Sequence, residues 1–461
     1  MTGRRILNGL AVFYALAGLA VLGWGLYRLD LPSLTPVRAL LFLGLPLVFA
    51  GVMAGSLRMS VGTRALLVVN VSAVVLAIYG YQGYVEADKA WTRAARIAQV
   101  EARTGRPFDR RSKGQMVADL RARGVEAYPS HATRFMPVPL DIDGRSVTPL
   151  SGRSGRPTVL CNETGTYTVY DADRYGFNTP DGAWPAAGGR AAIAAVGDSF
   201  TQGACVAPGE GFLDLLRRTW PATLNLGYGG TGPLIHLAAL TEYASLARPR
   251  VLLWVYFEND LENLLDERLQ PAYLRYLTDG APTGLAALQP ELDARIDTYM
   301  EKVMRLKGYD RFDWHRRVAD FVLLRELREG LGLNLRGQLA DRTNAQDLDE
   351  AVDLFGRILA TARDRVAAWD GRLVVVYMPS IEHFAPVPAT VESRMREPVL
   401  AAIRAAGVPL IDMKPVMAAT ANPAETFFLY PGSHYTAEGY ALVAETVRAG
   451  LIDLGLAPPA P

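Results

Sequence analysis

Cysteine is nearly absent from this chain: among 461 residues only Cys161 and Cys205 occur. Neither sits in a Cys-x-x-Cys pair or beside histidines at metal-ligand spacing, which argues against a zinc site. The two could close one disulfide, an arrangement suited to an oxidising compartment, or stay as two buried thiols. An excess of charge is missing as well, with 48 Lys and Arg against 47 Asp and Glu. Without a net field of either sign, nothing in the composition would gather nucleic acid or an acidic polymer. Histidine is scarce too, at five residues.

Apolar residues, by contrast, make up 50% of the chain and crowd its start. Three uncharged runs, at 6–27, 39–57 and 65–85, are each bounded by Arg or Glu. Each approaches the roughly 20 residues that a helix needs to cross a bilayer. The first also exceeds the roughly 7 to 15 apolar residues at the centre of a cleaved signal peptide. The expectation is a three-helix transmembrane anchor over residues 1–90, with the lipid bilayer as its partner. An N-terminus in the cytoplasm would put Arg4, Arg5, Arg58 and Arg64 inside and Arg28, Arg38, Lys89, Arg93, Arg96 and Arg103 outside, a tally that disfavours it. The Arg pair ahead of the first helix and the weak influence of charge in a long trailing domain pull the other way.

Residues 91–189 read as a membrane-proximal stalk and collar. The stretch 86–127 is charged and rich in Arg and Ala, whereas 128–187 is dense in Pro, Gly, Ser and Thr. Brief alternation, as in Tyr167-Thr168-Val169-Tyr170, suggests short strands and turns there. Cys161-Asn162-Glu163 and Tyr175-Gly176-Phe177-Asn178 belong to this collar. From 190 to 461 strands and helices alternate, the signature of a parallel sheet covered on both faces. Strands are expected at 192–196, 222–226, 251–257, 373–377 and 409–412. Helices are expected at 212–220, 234–246, 351–369, 392–406 and 436–454. A helical insertion at about 262–350 carries Tyr273-Leu274-Arg275-Tyr276 and Tyr309-Asp310-Arg311-Phe312-Asp313-Trp314. Leaving the C-terminal end of a parallel strand, it should rise over the ligand-binding edge as a lid or platform, with a tolerated surface insertion as the plainer alternative.

Four segments fall at that edge. Gly197-Asp198-Ser199-Phe200-Thr201 follows the first strand, Asn225-Leu226-Gly227-Tyr228-Gly229-Gly230 the second and Glu258-Asn259-Asp260 the third. Tyr430-Pro431-Gly432-Ser433-His434-Tyr435 precedes the last helix. A buried strand that stops at a small-residue turn lifts a serine hydroxyl out of the sheet beside backbone N–H groups. A serine, a histidine to take its proton and N–H donors aimed at one point are the parts for acyl transfer.

In this order the four segments resemble blocks I, II, III and V of the SGNH, or GDSL, hydrolases. The resemblance implies a three-layer, flavodoxin-like α/β domain with a parallel sheet. It implies Ser199 as nucleophile, with its own N–H in the oxyanion hole, and Gly230 as a second donor, with Gly229 the nearest alternative. Asn259 would be the side-chain donor and His434 the general base. No metal, nucleotide or other cofactor is implied. The wider phrasing Gly-Asp-Ser-Phe-Thr-Gln-Gly, Asn-Leu-Gly and Glu-Asn-Asp-Leu is similar to membrane-anchored bacterial members linked to acylation of surface polysaccharide. The expected protein is thus a multi-pass inner-membrane esterase or O-acyltransferase with its C-terminal domain in the periplasm. Its substrate would be an acylated glycan or other small ester, and its partners polysaccharide-assembly proteins.

Two positions depart from the pattern. Phe257 stands where block III begins with glycine, and Pro431 and Gly432 stand where the family keeps an aspartate to hold the histidine tautomer. Asp412, Glu425 and Asp198 are the candidate substitutes; a Ser–His dyad is the other solution. The gap favours an alternative of another class, a weak or inactive SGNH-fold subunit that binds glycan or serves assembly. Plainer roles stand beside the rest: Ser199 as a turn residue, Asn259 as a helix cap, and His131, His236, His315 and His383 as structural histidines, His383 being the reserve base.

Overall fold

The computed structural model of the chain describes residues 2–28, 39–132, 140–142, 144–186, 188–306, 318, 320–322, 324–330, 345–385, 390–428 and 433–459. They fall into two compact units, one of Met1–Arg96 with Asp313–Arg342 and one of Ile97–Phe312 with Thr343–Pro461.

In the first unit two of the apolar runs give helices long and apolar enough to cross a membrane, Gly3–Leu26 and Val61–Thr104. The middle run gives only the shorter apolar helix Phe42–Arg58. The expected three spans therefore become two full-length helices and a short one, at the lower edge of the roughly 17 to 25 residues that suffice. Its end is fixed by a buried guanidinium: Arg64 donates to the carbonyls of Ser56, Leu57 and Met59 where the helix stops. Part of the insertion joins this unit, where the Tyr79 hydroxyl donates to Val322 O at 2.8 Å and the Tyr79 ring meets Phe321. The collar belongs to the second unit and does not separate as a domain of its own.

The second unit is built on five parallel strands: β1 (Ile193–Val196), β2 (Thr223–Asn225), β3 (Val251–Phe257), β4 (Arg372–Met378) and β5 (Leu410–Asp412). Their order across the sheet is 2-1-3-4-5, the flavodoxin-like doubly wound order. Side chains alternate between two buried faces, as the two-residue period of a strand requires. Leu252, Trp254 and Tyr256 meet Pro233–Ala239, Ala345–Ala367 and Arg396–Ala405 on one side. Val251, Leu253 and Val255 meet Phe212–Arg217 and Ala437–Asp453 on the other. The loops that leave the C-terminal ends of these parallel strands therefore open at one edge, where the strand order switches between β1 and β3.

The insertion is not the expected platform in its first half. Asp260–Glu267 and Pro271–Thr278 pack back on Pro233–Ala239, and Tyr273 and Tyr276 are buried, the latter donating to Glu242 Oε1 at 2.7 Å. Aromatic rings interleaved with charge look the same in sequence whether they face solvent or fill a core. Residues 309–314 lie outside the described residues. The helix Gln289–Leu306 binds the collar instead, its Asp293 and Asp297 paired with Arg153 at 2.7 and 2.9 Å. In the collar a hairpin is closed by Leu160 N to Thr168 O and Thr168 N to Cys161 O, and Glu163 lies within its turn.

Candidate active site

Strand β1 ends at Gly197, where a side chain is sterically barred: a Cβ there would stand 2.0 Å from Thr201 Oγ1 and 2.9 Å from Val255 O. The chain then turns at Asp198, whose carboxylate accepts from Phe200 N at 2.9 Å and starts the short helix Ser199–Gln202. This places the Ser199 side chain at the sheet edge, half-buried, with Oγ 2.9 Å from His434 Nε2. The imidazole lies tilted against Phe200, at 4.7 Å between ring centroids, and Phe200 is stacked at 3.7 Å on Phe257. The ring that replaces the block III glycine thus buttresses the histidine.

The other nitrogen of His434 meets an acid that the sequence reading passed over. Glu163 Oε1 lies 3.0 Å from Nδ1, and Glu163 Oε2 accepts from the His434 backbone N at 2.9 Å. A carboxylate at Nδ1 favours the tautomer protonated there, leaving the Nε2 lone pair to accept the Ser199 proton. The three proposed substitutes are occupied elsewhere. Asp412 pairs with Arg396 and caps Lys414 N, Glu425 accepts from Asn422 Nδ2, and Asp198 serves as the cap already described. One signal for Glu163 was available: it lies two residues after Cys161, and Cys205 lies six after Ser199. The structure joins those cysteines in a disulfide, with 5.5 Å between Cα atoms. That bond brings the collar to the nucleophile loop.

The oxyanion candidates gather around the same serine. A Cβ on Gly229 would lie 3.5 Å from Ser199 Cβ, so the second block abuts the nucleophile. Gly229 N donates to Gln202 Oε1 at 3.0 Å, so of the two glycines it is Gly230 that is not held by that side chain. Gly230 has φ +75°, and a Cβ on it would stand 2.8 Å from Ala132 Cβ. The neighbouring His131 is held by the Tyr299 hydroxyl at 2.7 Å. Asn259 occupies the first-cap position of Asp260–Glu267 but makes no side-chain capping bond; its amide lies beside the Asp198 carboxyl. Burial pushes both Asp198 and Asp260 above the usual carboxylate range, and for Asp260 the proximity of Asp198 adds to it.

The other histidines among the described residues have structural partners. His236 is buried, its Nε2 3.1 Å from Thr231 Oγ1, and burial drives its pKa down to about 3. His383 Nε2 is paired with Glu258 Oε1, which also accepts from the Tyr377 hydroxyl at 2.6 Å. Burial alone would raise the Glu258 carboxyl, but the bonds from His383 and Tyr377 hold it below its ordinary value. His315 and residues 429–432 lie outside the described residues.

No family model and no curated protein sequence matches the chain. Among solved structures it is similar to a lipase/acylhydrolase from Enterococcus faecalis, at 14% identity and a TM-score of 0.31 over 57% of this chain and 95% of that one. It is similar to an acetyl xylan esterase at 10% identity and 0.32, over 56% and 99% of the two chains. A two-domain esterase active on acetylated mannans is similar at 14% and 0.30, over 61% and 54%. Likenesses at these scores carry no argument about chemistry, which is read from the geometry above.

Proposed function

We propose that the protein is a serine esterase or O-acyltransferase of SGNH type, anchored in a bacterial inner membrane and acting on an acylated glycan. The single observation that carries this reading is the unbroken line Ser199 Oγ, His434 Nε2, His434 Nδ1, Glu163 Oε1, at 2.9 and 3.0 Å. His434 takes the Ser199 proton as the oxygen attacks an ester carbonyl. The charge on the carbonyl oxygen is met by Gly230, the Asn259 amide and the Ser199 N–H. His434 returns the proton to the leaving alcohol, and water or a sugar hydroxyl then discharges the acyl-enzyme. The missing acid that favoured a non-catalytic subunit is replaced by Glu163, which removes the reason for that alternative.

Membrane anchoring is supported by the exposure of apolar side chains on the two long helices, Phe13, Leu16, Val69 and Leu76 among them. Such surface calls for a non-aqueous cover. The disulfide favours an oxidising compartment, hence the periplasm, for the second unit. The glycan substrate and assembly partners rest on the sequence resemblance.

Labelling the full-length protein with a fluorophosphonate probe, with Ser199→Ala as control, tests the nucleophile. Absence of label on the wild type would overturn the reading. Hydrolysis of nitrophenyl esters measured beside acetyl transfer to oligosaccharides separates hydrolase from transferase. A reporter fused after Pro461 reads the side of the membrane on which the second unit lies.

A further inference from the structure

Glu163 grips His434 at two atoms, ring and backbone, yet it comes from a turn of the collar rather than from the sheet. Asn162 Nδ2 and Gly165 O tie that turn to Asp109, at 2.6 and 2.8 Å. Its covalent link to the nucleophile loop is the Cys161–Cys205 bond. Cys205 is held at φ +69°, a left-handed conformation that residues with a Cβ adopt only when the surroundings impose it. Its sulfur stands 3.6 Å from His434 Nδ1, so the bond and the Glu163 carboxylate meet the same side of the ring. Cys205 also borders a cavity of about 580 Å³ shared with Arg103, Arg106, Thr164 and Tyr435. The bond meets that opening at Cys205 and is partly exposed at Cys161, which gives a small thiol reagent a route to it.

We propose that Glu163 is a positioning residue whose seat depends on the Cys161–Cys205 bond, so that a dithiol turns the site down and a small-molecule disulfide, by the reverse exchange, restores it. The proposal rests on the serine-esterase reading above. A dithiol thiolate attacks Cys205 Sγ, and Cys161 leaves as a thiolate and takes a proton. The second thiol of the reagent then displaces Cys205, which is protonated in turn. Two electrons and two protons have passed to the protein, and the dithiol has become a disulfide. With the turn released, Glu163 no longer selects the tautomer, and the imidazole can carry its proton on Nε2, where it cannot accept from Ser199.

The test uses the full chain in detergent, with kcat and KM for 4-nitrophenyl acetate measured on oxidised, dithiothreitol-treated and reoxidised protein. Free-thiol titration and circular dichroism accompany each state. With the disulfide intact, Glu163→Gln is expected to lower kcat by about 10² to 10⁴ with little change in KM, and Glu163→Asp to recover part of the loss. Dithiothreitol is expected to lower wild-type kcat about tenfold or more, reversibly, and to change Glu163→Gln little, because both act on one coupling. Four outcomes overturn the proposal: full reduction without loss of activity, an equal loss in wild type and Glu163→Gln, unchanged kcat in Glu163→Gln, or unfolding on reduction, since the bond would then hold the fold and not the carboxylate. Failure of the fluorophosphonate to label oxidised wild type would instead sink the esterase reading and this proposal with it. A labelled enzyme indifferent to dithiothreitol sinks this one alone.

Discussion

Glu163 Oε1 lies 3.0 Å from His434 Nδ1 across 271 residues of sequence. The contact makes the site a product of two structural layers, because the sheet edge supplies Ser199, Gly230 and Asn259 while the collar supplies the acid. In the proposed reaction a hydrogen-bonded carboxylate at Nδ1 would also stabilise the imidazolium formed as Ser199 attacks. Packing that shifts the collar therefore shifts the chemistry, even where it touches neither Ser199 nor substrate.

Ser199→Ala is expected to remove fluorophosphonate labelling and to lower ester turnover by up to about 10⁶. The fold should survive, since Ser199 is half-buried at the start of a short helix whose cap is Asp198. Unchanged turnover in a folded variant would place the nucleophile elsewhere.

Asn259→Ala should lower kcat by about 10² to 10³ and leave KM nearly unchanged, because an oxyanion donor acts mainly on the transition state. Asn259 makes no capping bond, so loss of its amide should cost the helix Asp260–Glu267 little. A large drop in melting temperature with kcat retained would return Asn259 to a structural role.

How much of this could be read from the chain differs element by element. Strand β3 was readable to the residue, as Val251–Phe257 is one apolar run buried on both faces. The nucleophile turn was readable because glycine at 197 is forced by the close approach of Thr201. The burial of Tyr276 was not readable, since its hydroxyl is met by Glu242, buried on the π-helical turn that continues the helix Pro233–Ala239. The acid was sought in the segments ahead of His434, at Asp412 and Glu425, and beside Ser199, at Asp198, while hydrogen bonding requires nearness only in space. Cys161 and Cys205 were the local trace of that long-range contact.

His383→Ala should cost about 3 kcal/mol of stability, because it leaves the Glu258 carboxylate buried with Tyr377 as its remaining donor among the bonds described. Fluorophosphonate labelling at Ser199 should persist below the new melting temperature. Loss of labelling in the folded variant would instead give His383 a part in proton transfer, the reserve role that its pairing with Glu258 argues against.

Asp173 sets a pH dependence within the collar. Its carboxylate accepts from Tyr175 N, Phe177 N and Trp184 Nε1, each at 2.8 or 2.9 Å, yet burial outweighs these bonds and raises its pKa from 3.8 to about 6. The folded protein then holds this proton more tightly than the unfolded chain. The contribution to stability is complete below about pH 4 and is lost as pH rises through about 6, the reverse of a salt-bridged carboxylate. Asp173→Asn keeps an acceptor for the two backbone amides but cannot titrate. The difference in thermal midpoint between wild type and Asp173→Asn should therefore move in the wild type's favour as pH is lowered from 7 to 4. A difference that moves the other way would mean that Asp173 is ionised in the folded collar across that range, with the Trp184 and backbone bonds prevailing over desolvation.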